Sequence, residues 1–498
     1  MKYITTVLFM ILFPNIACCH AIISYDISPL QTLDPPLIQI VISLTISSPG
    51  KVIELDMPKW CPGDYQLQNF GQYVEGFHAE GPNGELLNVI HPDSYSWDVN
   101  PEDYSRIKIY YLIPNEPPGN FSQNVQIENH LIYINGPGAL LYLPDYRYKK
   151  TILHVHPPGG FSVITALRKV SDTPDSYYAS GYDALSDAPL LITSRLKQYH
   201  FTANGTTYTL VFFDHLNELN DGERWVDVFR KIAVTENRMM GGPASSVYHF
   251  LIDVGGVNGG LEHADSCRVV YFPGLTVQEY APFIAHELLH SWNVKRIRPV
   301  ALAPIHYIHP VTTRSLWFVE GVTEYFAQLT VRRAGLESRD YFLQYWRNIV
   351  GKYLNNPARK LVTADESSAD VWKTQTSDGY GGLSYYTEGE LVALCLDLEI
   401  RHATDNHSTL ATVMRLLKKR YSAPLAGYTQ LDIENAVNDA AGENLSPLFQ
   451  SLTASTQTMP LMKELGYMGL NIRFENLEDT THAQRELMRS WSEVLSNP

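Results

Sequence analysis

The chain has 498 residues, 45% of them hydrophobic and 18% charged, a balance that suits about two domains with substantial apolar cores. Its net charge of −15 argues against nucleic acid or an acidic membrane surface as the main partner. Of five cysteines, two fall near the N-terminus; Cys61, Cys267 and Cys395 allow at most one disulfide in the mature chain, and no cysteine spacing suggests a second metal site.

Met1-Lys2 precedes an apolar run from Tyr3 to Phe13, then Pro14 and the small-residue region Ala17-Cys18-Cys19-His20-Ala21. Residues 1–21 read as a secretory signal peptide, too short to span a membrane. No later stretch is long and apolar enough for a transmembrane anchor. A lipoprotein signal at Cys18 fits less well, because Asn15 stands where leucine is usual. From Ile22 to Leu196 the pattern is mostly strand. Leu37 to Ser47, Lys51 to Met57, Ile107 to Ile113, Ala139 to Leu143 and Thr151 to His156 are short runs bounded by Pro, Gly, Asn or Asp. Such punctuation predicts a β-sandwich. Gln198 to Phe213 reads as a hairpin around Asn204-Gly205. A helix is expected over Asp221 to Met240 and a strand over Val247 to Val254. That strand runs into Gly255-Gly256 and Gly259-Gly260-Leu261-Glu262-His263, followed by a strand over Arg268 to Phe272. Thr276 and Glu279 have capping-box spacing at the entry to the next helix, which Pro282 either starts or kinks.

That helix carries His286-Glu287-Leu288-Leu289-His290, an H-E-x-x-H motif. Residues four apart on a helix share a face, so both imidazoles can reach one metal ion. Glu287 lies about 100° around the helix and would reach past the metal toward a bound water. Zinc suits two imidazoles and a carboxylate, keeps a fourth position open and acidifies its water, whose proton Glu287 can take. A metzincin would need Gly at position 293 and His at 296; the chain has Asn293 and Arg296. A second helix is expected from Ser315 to Arg333, capped by Thr312 or Thr313 and stopped by Gly335. On it Glu320 and Glu324 share a face among apolar neighbours. Burying two carboxylates is costly unless something positive meets them. Zinc at Glu320 answers that cost, with Glu324 placed to hold the free ring nitrogen of a zinc histidine. His306 and His309, in the proline-rich loop between the helices, are competing ligands. Further helices are expected over Arg339 to Tyr353, Thr387 to Arg401, Thr409 to Arg420 and Leu431 to Ala441. Between Asn476 and Pro498, Leu487, Met488, Trp491, Val494 and Leu495 at helical spacing predict a helix docked on the main body.

H-E-x-x-H followed by Trp317-x-x-Glu320-Gly321-x-Thr323-x-Tyr325 resembles the gluzincin metallopeptidases. Within them, His290-Ser291-Trp292-Asn293-Val294-Lys295-Arg296-Ile297-Arg298-Pro299 resembles the H-x-W-N-x-K-R-I-R-P signature of the glycyl aminopeptidase family. Pro58-Lys59-Trp60-Cys61-Pro62-Gly63-Asp64-Tyr65 is similar to the P-x-W-x-P-G-S-Y turn of that family's N-terminal domain, with Asp64 for serine. The resemblance implies roles for three more residues. Tyr386, three before Gly389, matches the tyrosine of Y-x-K-G that donates to the oxyanion; Tyr385 is the near alternative, and Glu388 replaces the lysine. Gly259-Gly260-Leu261-Glu262-His263 resembles the G-x-M-E-N stretch of zinc aminopeptidases, in which the glutamate grips the substrate's α-amine and glycines such as Gly260 let backbone approach the peptide. Arg296, Arg298 and Arg314 either bind a substrate carboxylate or form structural salt bridges. Members of the family often continue into a PDZ domain, for which residues 471–498 are too few.

The expected protein is multidomain α+β: a signal peptide at 1–21, a β-sandwich at 22–196, a thermolysin-like, mainly helical zinc metallopeptidase domain at 197–470 and a helical tail at 471–498. It would be a secreted or periplasmic aminopeptidase with one Zn2+ per chain, held by His286, His290 and Glu320. Its substrates would be peptides, with N-terminal Gly or Ala preferred by family resemblance. The same core could serve an endopeptidase, or a non-catalytic binding protein on a retained metallopeptidase scaffold.

Overall fold

The computed structural model describes residues 23–46, 49–115, 125–215, 222–257, 259–374, 379–422 and 427–495. The signal peptide expected at residues 1–21, and Asp221, lie outside them. No described helix is long and apolar enough to cross a membrane.

The N-terminal part is β-rich. Its largest sheet has seven strands, with Leu37–Thr45 between Ile23–Leu30 and Arg106–Pro114, both antiparallel to it. Side chains of Leu37–Thr45 alternate half-buried and buried, so one face of the sheet enters the core. Thr151–Val155 pairs in parallel with Ile23–Leu30. Smaller sheets of four and three strands share the same apolar core, through Ile132 and Ile134 in one and Leu55 and Trp97 in the other. The strand expected at Ala139 to Leu143 is absent. Gly136–Ala139 forms one helical turn with Pro137 in its first positions, and beyond it only Tyr142 bridges to Asp56. The run is apolar because it is buried, not because it pairs in a sheet.

Next comes a five-stranded sheet, in spatial order Lys197–Ala203, Thr206–Asp214, Val247–Val254, Ser266–Tyr271, Gly260–Glu262. Asn204 and Gly205 turn the hairpin with φ of 50° and 86°, as a type I′ turn requires. The helix Glu223–Met239 connects two parallel neighbours. The short strand Gly260–Glu262 lies at the sheet edge.

The helix Val277–Leu289 opens with the expected capping box: Thr276 Oγ1 accepts from Glu279 N–H, and Glu279 Oε2 accepts from Thr276 N–H. The helix therefore does not start at Pro282, which sits inside it. The second metal-site helix begins with a π-helical turn, Trp317–Gly321, that runs into Val322–Arg333. Thr313 Oγ1 accepts from Ser315 N–H at 3.2 Å, ahead of the first helical turn, and no threonine caps the turn itself. Its start is buried, and the cap comes from another element: Ser368 Oγ accepts from Trp317 N–H at 2.9 Å. Gly335, at φ 69°, ends it. The helices Arg339–Asn355, Tyr385–Ala403, Leu410–Tyr421 and Gln430–Ala441 follow. In the tail, His482–Ser492 docks through buried Leu487, Met488 and Trp491, whose indole N–H donates to Tyr325 Oη at 3.0 Å; Val494 is exposed. Cys61, Cys267 and Cys395 are buried free thiols.

Candidate metal centre and cleft

His286 and His290 face the same way from one helix, and Glu320 meets them from the π-helical turn. Their ligand atoms form a small triangle: 3.0 Å between the two Nε2 atoms, and 3.4 Å and 3.2 Å from these to Glu320 Oε2. Tetrahedral zinc with bonds near 2.0–2.1 Å would place its donor atoms about 3.3 Å apart. All three residues are buried, and they are the one such cluster among the described residues. His286 Nδ1 lies 3.0 Å from Glu324 Oε2, and His290 Nδ1 lies 2.7 Å from the Asn293 carbonyl. Each acceptor calls for the proton on Nδ1, which leaves Nε2 with a bare lone pair. Two imidazole nitrogens and a carboxylate oxygen then converge on one point, an arrangement that calls for positive charge, met by a metal ion or by a proton on the rings.

The stretch after His290 ties the two elements together. Asn293 Nδ2 donates to the Phe318 and Val319 carbonyls at 2.9 Å and 3.2 Å, so its amide braces the turn just before Glu320. Arg296 bonds Asp265, Ser291 and Ala264, which is a structural role; Arg298 donates to the Lys295 carbonyl and lines a cavity with Glu262. His306 and His309 are exposed and outside the cluster.

Burial would lower the pKa of His286, but Glu320 and Glu324 outweigh it and raise it. Burial would raise that of Glu320, yet the two histidines hold its carboxyl well below the usual range. Behind the site Glu324 Oε1 accepts from Gln328 at 2.8 Å and from Tyr345 Oη at 3.1 Å, while Tyr345 Oη also lies 2.7 Å from Glu390 Oε2. One hydroxyl proton cannot serve two carboxylates. Burial, with Glu324 nearby, pushes the Glu390 carboxyl well above the usual range, which favours the neutral acid there. Sequence reading missed Tyr345 and Glu390, whose spacing carries no motif.

The triangle opens on a cleft of about 640 Å³ lined by Gly260, Glu287, Tyr385, Tyr386 and the Gly63-Asp64-Tyr65 turn, among others. Glu287 is 5% exposed, its carboxyl pushed up to about 7 by burial, and its Oε2 has no protein hydrogen-bond partner. Gly260 lies against it: a Cβ there would collide with Glu287 Oε1 and come within 2.7 Å of the Phe283 ring. The Tyr386 ring stacks on His286 with centroids 6.0 Å apart. Burial, then Glu320, raises its hydroxyl pKa well above the usual value, so it remains a donor. Tyr385 packs beside it, more deeply buried. Glu388 is buried too, its carboxyl pushed up to about 8.

The turn in the cleft comes from the N-terminal region. Asp64 N–H donates to the Cys61 carbonyl at 2.9 Å, with Pro62 and Gly63 between them and Gly63 at φ 102°, a type II turn. Sequence reading recognised this turn but did not place it in the site. Gly63 and Tyr65 also line a second cavity of about 250 Å³, and Glu262 faces that cavity. Glu262 is 4% exposed, with Lys295 Nζ 3.8 Å from its Oε1.

Comparison with known proteins agrees with this layout. A family model described as M61 glycyl aminopeptidase matches residues 279–392, and one described as the peptidase M61 N-terminal domain matches residues 27–194. No curated protein matches the chain. Among solved structures, an aminopeptidase N family protein from Idiomarina loihiensis superposes with a TM-score of 0.82 at 26% identity, over 90% of this chain and 78% of that one. An M1 zinc metallopeptidase from Deinococcus radiodurans, in a mutant form bound to a Tyr-Ser-Ala substrate, shares the fold at TM-score 0.55 and 13% identity, over 89% of this chain and 94% of its own.

Proposed function

Since the chain belongs to the M61 glycyl aminopeptidase family and is a zinc-dependent aminopeptidase, we propose the following division of labour. His286, His290 and Glu320 hold one zinc ion per chain. Zinc, when bound, supplies Lewis acidity and a water acidic enough to ionise near neutral pH. Glu287 Oε2 accepts that water's proton and returns it to the leaving amine. The Tyr386 O–H donates to the carbonyl oxygen as it takes up charge. Glu324 fixes the ring of His286, Glu262 holds the free α-amine, and the bare Cα of Gly260 lets the Glu287 carboxyl lie against the edge strand that lines the peptide cleft. Small first residues, Gly or Ala, are the preferred substrates, and the leader directs the protein to the periplasm or out of the cell.

The donor triangle with both Nδ1 atoms engaged carries the metal assignment. Elemental analysis tests it: wild type is expected to hold one zinc, and His286→Ala, His290→Ala and Glu320→Ala to lose it. Full zinc in Glu320→Ala together with loss in Glu324→Ala would move the third ligand.

A further inference from the structure

Glu262 is held from two sides by the N-terminal region. On one side stands Gly63, where a Cβ would lie 2.5 Å from Glu262 Oε2 and 2.8 Å from Oε1. On the other stands Asp187, just after the short helix Tyr182–Ser186. Asp187 Oδ2 accepts the Ala264 N–H at 2.9 Å, and its Oδ1 lies 3.1 Å from Lys295 Nζ and 3.2 Å from His263 Nδ1. His263 and Ala264 are the two residues after Glu262, so one carboxylate fixes the backbone that carries it.

The same carboxylate holds Lys295, whose ammonium is 3.8 Å from Glu262 Oε1. That distance is an ion-pair contact but too long for a hydrogen bond. Glu262 Oε1 is buried and has no hydrogen-bond donor. Lys295 thus offsets the buried charge of Glu262 without occupying the oxygen that a substrate ammonium would need. Burial opposes the charge on Asp187, but Lys295 and His263 outweigh it and hold its carboxyl well below the usual range. Burial likewise opposes the charge on Lys295, which Asp187 and Glu262 restore. A buried ion pair is poor evidence for stability. This one sits where it sets the position of a second carboxylate.

We infer that Asp187 and Lys295 are positioning residues for α-amine recognition, so that the N-terminal region sets the amine anchor of the catalytic site. The inference rests on the proposed role of Glu262.

The test uses zinc-loaded full chains and two probes: alanyl para-nitroanilide, which has a free amine, and its des-amino analogue, propionyl para-nitroanilide. Asp187→Asn is expected to raise KM for the alanyl substrate about tenfold, as a weakened charge-assisted bond would. Its zinc content and its slow turnover of the propionyl analogue are expected to match wild type. The double variant Asp187→Asn/Glu262→Ala is expected to be no worse than Glu262→Ala, because Asp187 acts through Glu262. Lys295→Gln keeps the Asp187 bond to Ala264 and is expected to show the same amine-specific loss. A normal KM in folded Lys295→Gln, an equal loss on both probes, or losses that multiply in the double variant would overturn the inference. A silent Glu262→Ala overturns the amine anchor and this inference together. A defective Glu262→Ala beside a silent Asp187→Asn overturns this inference alone.

Discussion

At the scale of single residues, the metal chemistry was legible because it depends on spacing along one helix. His286 and His290 are four apart, and the structure brings their Nε2 atoms to 3.0 Å. Glu287, between them on the adjacent face, lines the cleft with an unpartnered oxygen. Glu287→Gln removes a proton acceptor and changes little else in shape. It is expected to retain zinc by elemental analysis while turnover falls by about 10²–10⁴-fold, the usual worth of a positioned acid–base. Loss of zinc from this variant would make Glu287 a ligand instead. Residues whose partners are distant in sequence were not legible. Tyr345 bridges Glu324 and Glu390 across three helices, and no local pattern announces such a bridge. Asp187 is equally silent: nothing near it in the chain predicts the contact with Lys295.

At the scale of elements, two glycines explain how the glutamate turn and the tyrosine helix come together beside the histidine helix. A Cβ on Gly321 would collide with Gly389 Cα, and one on Gly389 would collide with the Trp317 carbonyl. The backbones of Trp317–Gly321 and Tyr385–Ala403 therefore touch, which brings Tyr386 and Glu320 to the same histidine, His286. The glycine of the tyrosine motif was visible in the sequence; the packing that requires it was not. Gly389→Ala is expected to push the two elements apart, destabilising the fold by about 1–3 kcal/mol as overpacking does. It is also expected to reduce kcat more than zinc content, measured by denaturant titration, kinetics and elemental analysis together. A variant with wild-type stability and kcat would show that the close approach is dispensable. The buried start of the glutamate element also explains why its cap was misjudged. The nearby threonines suit an exposed helix end, whereas Ser368 reaches this one through tertiary structure.

At the scale of the whole molecule, the β-rich and helical parts are joined by charge as well as by apolar packing. His215 lies between Glu128 of the N-terminal region, 2.9 Å from its Nδ1, and Asp253 of the catalytic sheet, 2.8 Å from its Nε2. Burial would lower its pKa, but Asp253 and Glu128 outweigh it and raise it to about 9. A raised folded-state pKa means that the protonated ring stabilises the fold fully below about 6.5, its ordinary value, and that this contribution is lost as pH rises through about 9. Wild-type Tm is expected to fall over that window by a few degrees more than Tm of His215→Gln, followed by calorimetry. Parallel curves would show that the ring does not titrate there. The β-rich character of the N-terminal part was legible from its short strands bounded by turn residues, and the helical character of the rest from helix-period runs that begin near residue 221. The insertion of the Pro62-Gly63 turn into the other part's cleft was not, since a turn motif specifies its own shape and not its neighbour. The account as a whole turns on one property, recognition of a free amine beside a zinc site. The most direct measurement compares zinc-loaded enzyme on an alanine-led peptide and on its N-acetylated twin, with products identified by mass. The expected result is release of the first residue from the free peptide, at least about tenfold to a hundredfold slower attack on the acetylated one, and loss of activity on chelation. Cleavage of both peptides at the same internal bonds and at equal rates would contradict it.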